Sequence, residues 1–162
     1  MEAKQFLPLA LLYTAGGEIR GKTRFQKLAF LSERELDRWD VDAYDFVAYD
    51  YGPFSKSLLE ETESLEAEGL VEITRRKTFG GKERYDYRLT QRGHETYEDN
   101  RPNEEWDESN EPEDVSDGTD RFRCIEHVAD RVTGDFAEMP VSNLIDHVYD
   151  EYPKYAENSV FY

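Results

Sequence analysis

Residues 73–92 read ITRRKTFGGKERYDYRLTQR, and this stretch indicates a two-stranded hairpin. The glycines at 80–81 mark the turn, and Tyr85, Tyr87 and Leu89 alternate with polar residues along the return strand, as in a half-buried strand. The stretch contains seven basic and two acidic residues in a chain of net charge −17. We call it the basic hairpin. Cations clustered in so acidic a protein predict an anionic partner, which we expect to be DNA.

Residue parity predicts how the two strands pair. A two-residue turn at 80–81 would set Ile73 opposite Arg88, which would put core and solvent residues on one face. A three-residue loop at 79–81 instead pairs Ile73 with Tyr87. We therefore expect the longer or bulged loop.

Two helices and a short strand are predicted upstream. Residues 4–13 are apolar nearly all round, which indicates a buried helix that tolerates Pro8 only near its first turn. Ile19 can form a strand of one or two residues. Residues 23–26 (TRFQ) fit a capping box, and helical spacing continues from there to about Arg38.

A third helix precedes the basic hairpin. Residues 44–51 alternate aromatic and other residues, which suggests an extended stretch that the Gly-Pro pair at 52–53 ends by a turn. Ser55 or Ser57 can cap the helix that follows, which ends by Glu68. The rings around this turn either line a ligand pocket or pack into the core; we favour core packing for Tyr44, Phe46, Tyr49, Tyr51 and Phe54.

The C-terminal half is more acidic than the first. Thr90 can cap a helix through about Asp99. Residues 100–120 include nine acidic residues and one basic residue, a composition that builds no core and predicts a mobile linker. Residues 121–162 predict two amphipathic helices, the second capped by Ser142. These helices either pack back on the first helix or join two copies in a homodimer.

The order helix, strand, helix, helix, hairpin, helix is that of a winged helix, an α+β, mainly α fold, here with a C-terminal helical extension. We assign residues 1–99 to the winged-helix domain, 100–120 to the linker and 121–162 to the helical pair. Three stretches resemble MarR and PadR regulators: GEIRGKTRFQKLAFL (17–31), LLEETESLEAEGLVE (58–72) and YDYRLTQRGHE (85–95).

A second resemblance is to uncharacterised prokaryotic winged-helix proteins with a YGPFS signature, which are loosely similar to the Panacea-type antitoxin domain. It rests on FQKLAFL (25–31), YDYGPFSKSLLEE (49–61) and LIDHVYDEYPKYAENS (144–159). This resemblance implies a regulator or an antitoxin.

Winged-helix regulators place the third helix in the major groove and the wing on the flanking backbone or minor groove. The resemblance therefore implies a dimeric transcriptional regulator that contacts double-stranded DNA. The implied contacts come from the second helix, the third helix and the basic hairpin: Arg20, Lys22, Arg24, Ser55, Lys56, Ser57, Arg75, Arg76, Lys77, Lys82 and Arg84. Their cations would displace counterions from phosphates.

The third helix departs from this pattern. It carries five carboxylates and one cation, Lys56: Glu60, Glu61, Glu63, Glu66 and Glu68. Phosphates would repel several carboxylates in a groove, so the helix either inserts only its first turn or does not read DNA. The alternative function is a protein-binding winged-helix module, antitoxin-like or adaptor-like. An exposed acidic face continuous with the basic hairpin would favour that alternative.

Other functions find little support in the sequence. No P-loop or nucleophile elbow occurs, so we expect no enzyme. Cys124 and His127 can share a helical face, but two ligands do not make a zinc site; we expect neither metal nor cofactor. The lone Cys124 favours a reducing cytoplasm, and no apolar run is long enough to span a membrane.

The overall charge has two explanations. The chain has 37 acidic residues and few lysines, a composition that resembles cytosolic proteins of salt-accumulating halophiles. In molar salt the Debye length falls to about 3 Å, so the repulsion between carboxylates is tolerable. The other explanation is an ordinary acidic protein with a disordered tail.

Overall fold

The computed structural model describes residues 1–112, 115 and 118–160. It is an α+β, mainly helical structure, in which short 3-10 turns follow α2, α4 and α6. Its elements are α1 (Ala3–Thr14), β1 (Glu18–Arg20), α2 (Lys22–Leu36), β2 (Val47–Tyr49), β3 (Gly52–Phe54), α3 (Lys56–Ala67), β4 (Val71–Lys77), β5 (Glu83–Leu89), α4 (Gln91–Asn100), α5 (Gly118–Phe136) and α6 (Val141–Glu151). Within the described ranges, no helix combines the length and apolarity needed to cross a bilayer.

The basic hairpin belongs to the larger of two small sheets, which also contains β1. This antiparallel sheet has the order β1-β5-β4. Ile73 pairs with Tyr87, and Thr78 N donates to Lys82 O at 2.7 Å, which closes a three-residue loop at 79–81. The predicted register is therefore confirmed. It holds because only this parity buries Ile73 and Tyr87 on the same face.

The first helix lies in the middle of the core, as its apolar sequence predicts, with Phe6, Leu7 and Leu9 fully buried. Pro8 lies inside this helix rather than at its first position. A proline there cannot donate to the carbonyl four residues earlier, and its ring pushes that carbonyl outward. The Tyr44 hydroxyl donates a hydrogen bond to this Lys4 carbonyl.

The predicted capping box at residues 23–26 is wrong. Helix α2 begins two residues earlier than predicted, at Lys22, after Gly21 with φ of +95°, and no side chain caps it. The Gly21 amide is held by the Tyr85 carbonyl at 2.8 Å. The side chain that was expected to cap, Gln26, lies buried and pairs with the main chain of Ser55. The hydrogen bonds between Gln26 and the Ser55 main chain thus replace the predicted local capping box.

Residues 52–53 do not end the extended stretch, contrary to prediction. Strand β3 contains both and pairs with β2, so the turn lies at Asp50-Tyr51. Pro53 is tolerated because it lies in a two-stranded ribbon, where one edge needs no partner. The next prediction is confirmed, since the Ser55 hydroxyl accepts from Leu58 N and caps α3. Thr90 likewise caps α4.

The C-terminal helices pack back on the N-terminal half. The Phe6 and Phe122 rings stack with centroids 4.2 Å apart, and the Thr133 hydroxyl donates to that of Thr14 at 3.0 Å. Helix α6 follows Pro140, and Ser142 does not cap it as predicted but donates to Asn143. Homodimer formation stays a prediction.

The acidic segment contributes to the core, contrary to the expectation from its composition. Val115 is buried, and the Trp106 ring stacks on His127 with centroids 4.0 Å apart. Trp106 also meets Trp39 edge to face. The Trp106 ring therefore packs the described part of this segment against α5, although residues 113, 114, 116 and 117 lie outside the described residues. Mobility of the segment stays a prediction.

Candidate nucleic-acid interface

The cations of the basic hairpin divide between its two faces. Neighbouring residues in a strand point to opposite faces, so Arg75 lies with Tyr85 on one face and Arg76 with Arg84 on the other. Their clustering in the sequence predicts that these cations act together on one polyanion. The strand geometry separates them.

Arg75 is paired with the third helix. Its guanidinium donates two hydrogen bonds of 2.9 Å to the Glu66 carboxylate and lies 5.3 Å from the Tyr85 ring centroid. These hydrogen bonds raise the pKa of Arg75 and lower the pKa of Glu66. This ion pair neutralises the charge of Arg75, one of the predicted DNA contacts. It also anchors the basic hairpin to α3.

Arg76 and Arg84 converge on a single carboxylate on the opposite face. Asp86 accepts from Arg76 at 3.2 Å and from Arg84 at 3.0 Å, and its side chain is only 8% exposed. The same carboxylate accepts from the Gly21 amide at 3.1 Å. Asp86 therefore ties β5 to the entry of α2, and both guanidinium groups compensate its buried charge.

The start of α3 offers few groups to DNA. Ser55 is buried as the helix cap, and the Ser57 hydroxyl lies 3.1 Å from that of Ser55. Lys56 is exposed and lies 4.0 Å from Glu60. The remaining surface of the helix is acidic, with Glu60, Glu63 and Glu68 exposed. Through Glu66 and Arg75 this acidic surface is continuous with the basic hairpin.

A cleft of about 870 Å³ gathers the other predicted contacts. It lies between the start of α2, the β2–β3 turn and the end of the basic hairpin. Five of the eleven predicted DNA contacts line it: Arg20, Lys22, Arg24, Lys82 and Arg84. Asp50 and Glu83 are the two acidic residues in its described lining. We call it the cationic cleft.

Local contacts orient the cations around this cleft. The Lys82 ammonium donates to the Tyr51 hydroxyl at 2.5 Å, which joins the basic hairpin to the β2–β3 turn. Lys22 Nζ lies 4.7 Å from the Tyr85 ring centroid. Arg24 donates to the Met139 carbonyl at 3.0 Å, and desolvation lowers its pKa. None of these contacts supplies a counter-charge.

Lys27 also lines the cleft, although no feature of the sequence predicts it there. The residue is 3% exposed, and its ammonium donates to the Pro53 carbonyl at 3.1 Å. Its stem packs on Gly52, where an added Cβ would lie 3.2 Å from Lys27 Cε. Burial lowers the pKa of Lys27 to about 7. In sequence this lysine resembles any surface cation of a helix.

The tip of the basic hairpin carries a second residue that the sequence analysis missed. Phe79 is fully exposed at the closing loop, between Lys77 and Lys82. An exposed phenylalanine gains nothing from the fold, and aromatic side chains beside cations are typical of nucleic-acid contacts. The alternation of residues in the strands could not reveal it, because it lies in the loop.

Cys124 and His127, the two residues considered for metal binding, pack against other parts of the protein. Cys124 is buried, and its pKa is raised to about 11 by desolvation. His127 stacks on Trp106, and desolvation lowers its pKa. In the part of the chain that the structure describes, no cluster of ligands could hold a metal ion.

Comparison with known proteins identifies no family for this chain. No protein-family model matches this chain, and no curated protein matches it significantly.

Proposed function

We propose that this protein is a winged-helix DNA-binding protein, a transcriptional regulator that acts as a homodimer in the cytoplasm. The order of α1, β1, α2, α3, the β4–β5 hairpin and α4 supports the winged-helix assignment, with the β2–β3 ribbon as an insertion before α3. The observation that carries the proposal is the cationic cleft, where five predicted contacts lie together with Lys27.

The DNA contact in this proposal is to the phosphate backbone. Lys22 and Lys82 approach phosphates from the cleft, because cations without a carboxylate partner release most counterions. Arg20 also lines the cleft, but it is paired with Glu18 at 2.9 Å and contributes less. Helix α3 stays outside the groove, since its exposed carboxylates repel phosphates. Phe79 at the hairpin tip contacts the minor groove, where apolar wedges partly unstack base pairs.

A second candidate function is a protein-binding module. The observation that favours it is the acidic surface of α3, where Glu60, Glu63 and Glu68 are exposed beside the neutralised Arg75. This surface suits a basic protein, and such a module would be antitoxin-like or adaptor-like. Replacing Glu60 and Glu63 by Gln would then weaken the complex with that partner, whereas duplex binding through the cleft would be unchanged or stronger.

Fluorescence anisotropy with a labelled duplex across a series of salt concentrations tests the first proposal. The double variant Lys22→Ala/Lys82→Ala should lower affinity for all sequences and reduce the slope of log K against log salt by about 2. The double variant Lys4→Ala/Lys154→Ala removes the same charge outside the cleft and is the matched control. Absence of duplex binding by the wild type, or equal losses in both variants, would overturn the proposal. Phe79→Ala should weaken binding without a change in thermal stability.

A further inference from the structure

The floor of the cationic cleft contains a cation without a counter-charge. Lys27 is 3% exposed, and its ammonium makes one hydrogen bond, to the neutral carbonyl of Pro53. Among the described residues, no carboxylate lies within ion-pair distance of it. An ammonium group has three donors, so two remain for another partner. Burial disfavours the ammonium form of this lysine, and an anion bound beside it would stabilise that form.

The start of α2 adds donors to the same cleft. Gly21, Lys22 and Thr23 line it, and the helix has no side-chain cap. The first amides of a helix point outward along its axis and favour phosphate groups. Because Lys27 lies one turn further along α2, an anion at this end of the cleft can meet the amides and the ammonium together.

An aromatic wall faces these donors. Tyr49 and Phe54 have ring centroids 5.2 Å apart, and both line the cleft. Tyr49 is 54% exposed, so the protein leaves part of its ring open to solvent. A planar base can stack on such a ring whatever its sequence identity, because every base has a π-face. The cleft volume of about 870 Å³ is within the range that holds small ligands.

We propose that the cationic cleft binds a nucleoside phosphate, with the phosphate on Lys27 and the start of α2 and the base on Tyr49. This ligand goes beyond the proposed DNA contact and does not depend on it. A backbone phosphate of DNA is the other source of the same chemistry. The two sources differ in one respect: a free nucleotide binds without duplex, and it competes with duplex for Lys22 and Lys82.

Isothermal titration calorimetry with adenosine diphosphate, adenosine and inorganic phosphate tests the site. Adenosine diphosphate should bind the wild type, and each partial ligand should bind at least about tenfold more weakly. Lys27→Met keeps the apolar stem and removes the charge, and should lower affinity for adenosine diphosphate at least about tenfold. Lys56→Met removes an exposed lysine on α3 and should change affinity less than about twofold.

Amide chemical shifts of the wild type give a measurement that needs no variant. Adenosine diphosphate should shift the amides at 20–27, 49–54 and 82–84, and added duplex should reverse those shifts if both ligands use the cleft. Binding that Lys27→Met leaves unchanged, shifts confined to other regions, or no binding at millimolar nucleotide would each overturn the proposal. Binding of duplex alone would assign the phosphate chemistry to DNA and would also overturn it.

Discussion

The Tyr44 hydroxyl supplies the hydrogen bond that Pro8 withholds from the Lys4 carbonyl. Tyr44 is 3% exposed, so its hydroxyl has little water to bind. A buried carbonyl without a donor costs more free energy than an average hydrogen bond contributes. The contact therefore permits a proline in the middle of the most buried helix, and it fixes the loop after α2 against α1.

Replacement of Tyr44 by Phe should lower the free energy of unfolding by about 1 kcal/mol, because the part-buried Lys4 carbonyl then loses its side-chain donor. Pro8→Ala restores a helical amide at that carbonyl. The loss from Tyr44→Phe should accordingly shrink in the Pro8→Ala background, and urea unfolding of the four proteins measures this coupling. Additive losses would contradict the assignment.

Two glycines should respond oppositely to alanine. A Cβ at Gly93 would lie 2.0 Å from the Leu70 carbonyl oxygen, so Gly93→Ala must separate α4 from β4 and should cost on the order of 3 kcal/mol or more. A Cβ at Gly134 meets no atom within 4 Å. Gly134→Ala lies in α5 and should stabilise the protein by up to about 1 kcal/mol. Thermal melting of both variants checks the pair; a mild effect at Gly93 would contradict the close approach.

The joint contribution of Glu33 and Lys27 to stability should pass through a minimum near pH 7. Desolvation raises the pKa of Glu33 from 4.5 to about 7, aided by Asp42 and Asp37 and opposed by the amides of Ala43 and Tyr44. The folded state then binds the extra proton, so stability falls as pH rises from 4.5 to 7. The lowered pKa of Lys27 has the reverse effect, because the unfolded state holds its proton longer. The contribution of Lys27 to stability therefore rises as pH increases from about 7 to 10.5.

Variants separate these two contributions, which are at most roughly 3 kcal/mol for Glu33 and roughly 5 kcal/mol for Lys27. Glu33→Gln should flatten the acidic limb of the stability profile, and Lys27→Met should flatten the basic limb. Denaturant unfolding at a series of pH values measures both. A profile for Lys27→Met parallel to that of the wild type above pH 7 would show that the ammonium is not desolvated.

Replacements of Arg75 and Lys77 by Ala should have different effects on stability and on duplex binding, although the two residues lie two positions apart on one strand. Arg75→Ala removes a half-exposed ion pair with Glu66 and should cost about 0.5–1 kcal/mol of stability. Its effect on duplex affinity should be small, since Glu66 already neutralises it. Lys77→Ala should leave stability unchanged and lower the salt dependence of duplex binding by about 1. Equal effects on duplex binding would indicate that Arg75 leaves Glu66 when DNA binds.

Elements with a local signal could be predicted from the sequence. The pairing of Ile73 with Tyr87 follows from strand parity, and the caps at Ser55 and Thr90 use side chains three residues from their partners. Predictions failed where distant residues decide the outcome. Gln26 was expected to cap its own helix, but the Ser55 main chain, 29 residues away, binds it instead.

The candidate site shows the same division. Charge counting located Arg20, Lys22, Arg24, Lys82 and Arg84, which the fold brings to one cleft. It could not separate them from Arg75, whose charge is neutralised by a glutamate of another element. Lys27 gave no sequence signal, since its stem packs on Gly52 and its ammonium binds the Pro53 carbonyl, both far from it in the chain. The charge of a side chain is known from the sequence, but its desolvation depends on the completed fold.

The stacking of Phe122 on Phe6 and the Thr133–Thr14 hydrogen bond also constrain how the chain is made. The ribosome releases α1 more than a hundred residues before the end of α5. During that interval the most apolar helix lacks the partner that covers it, and such non-local contacts form late in folding. A nascent chain stalled before α5 would expose that helix to chaperones and to aggregation. Synthesis of α5 thus completes the cover of α1.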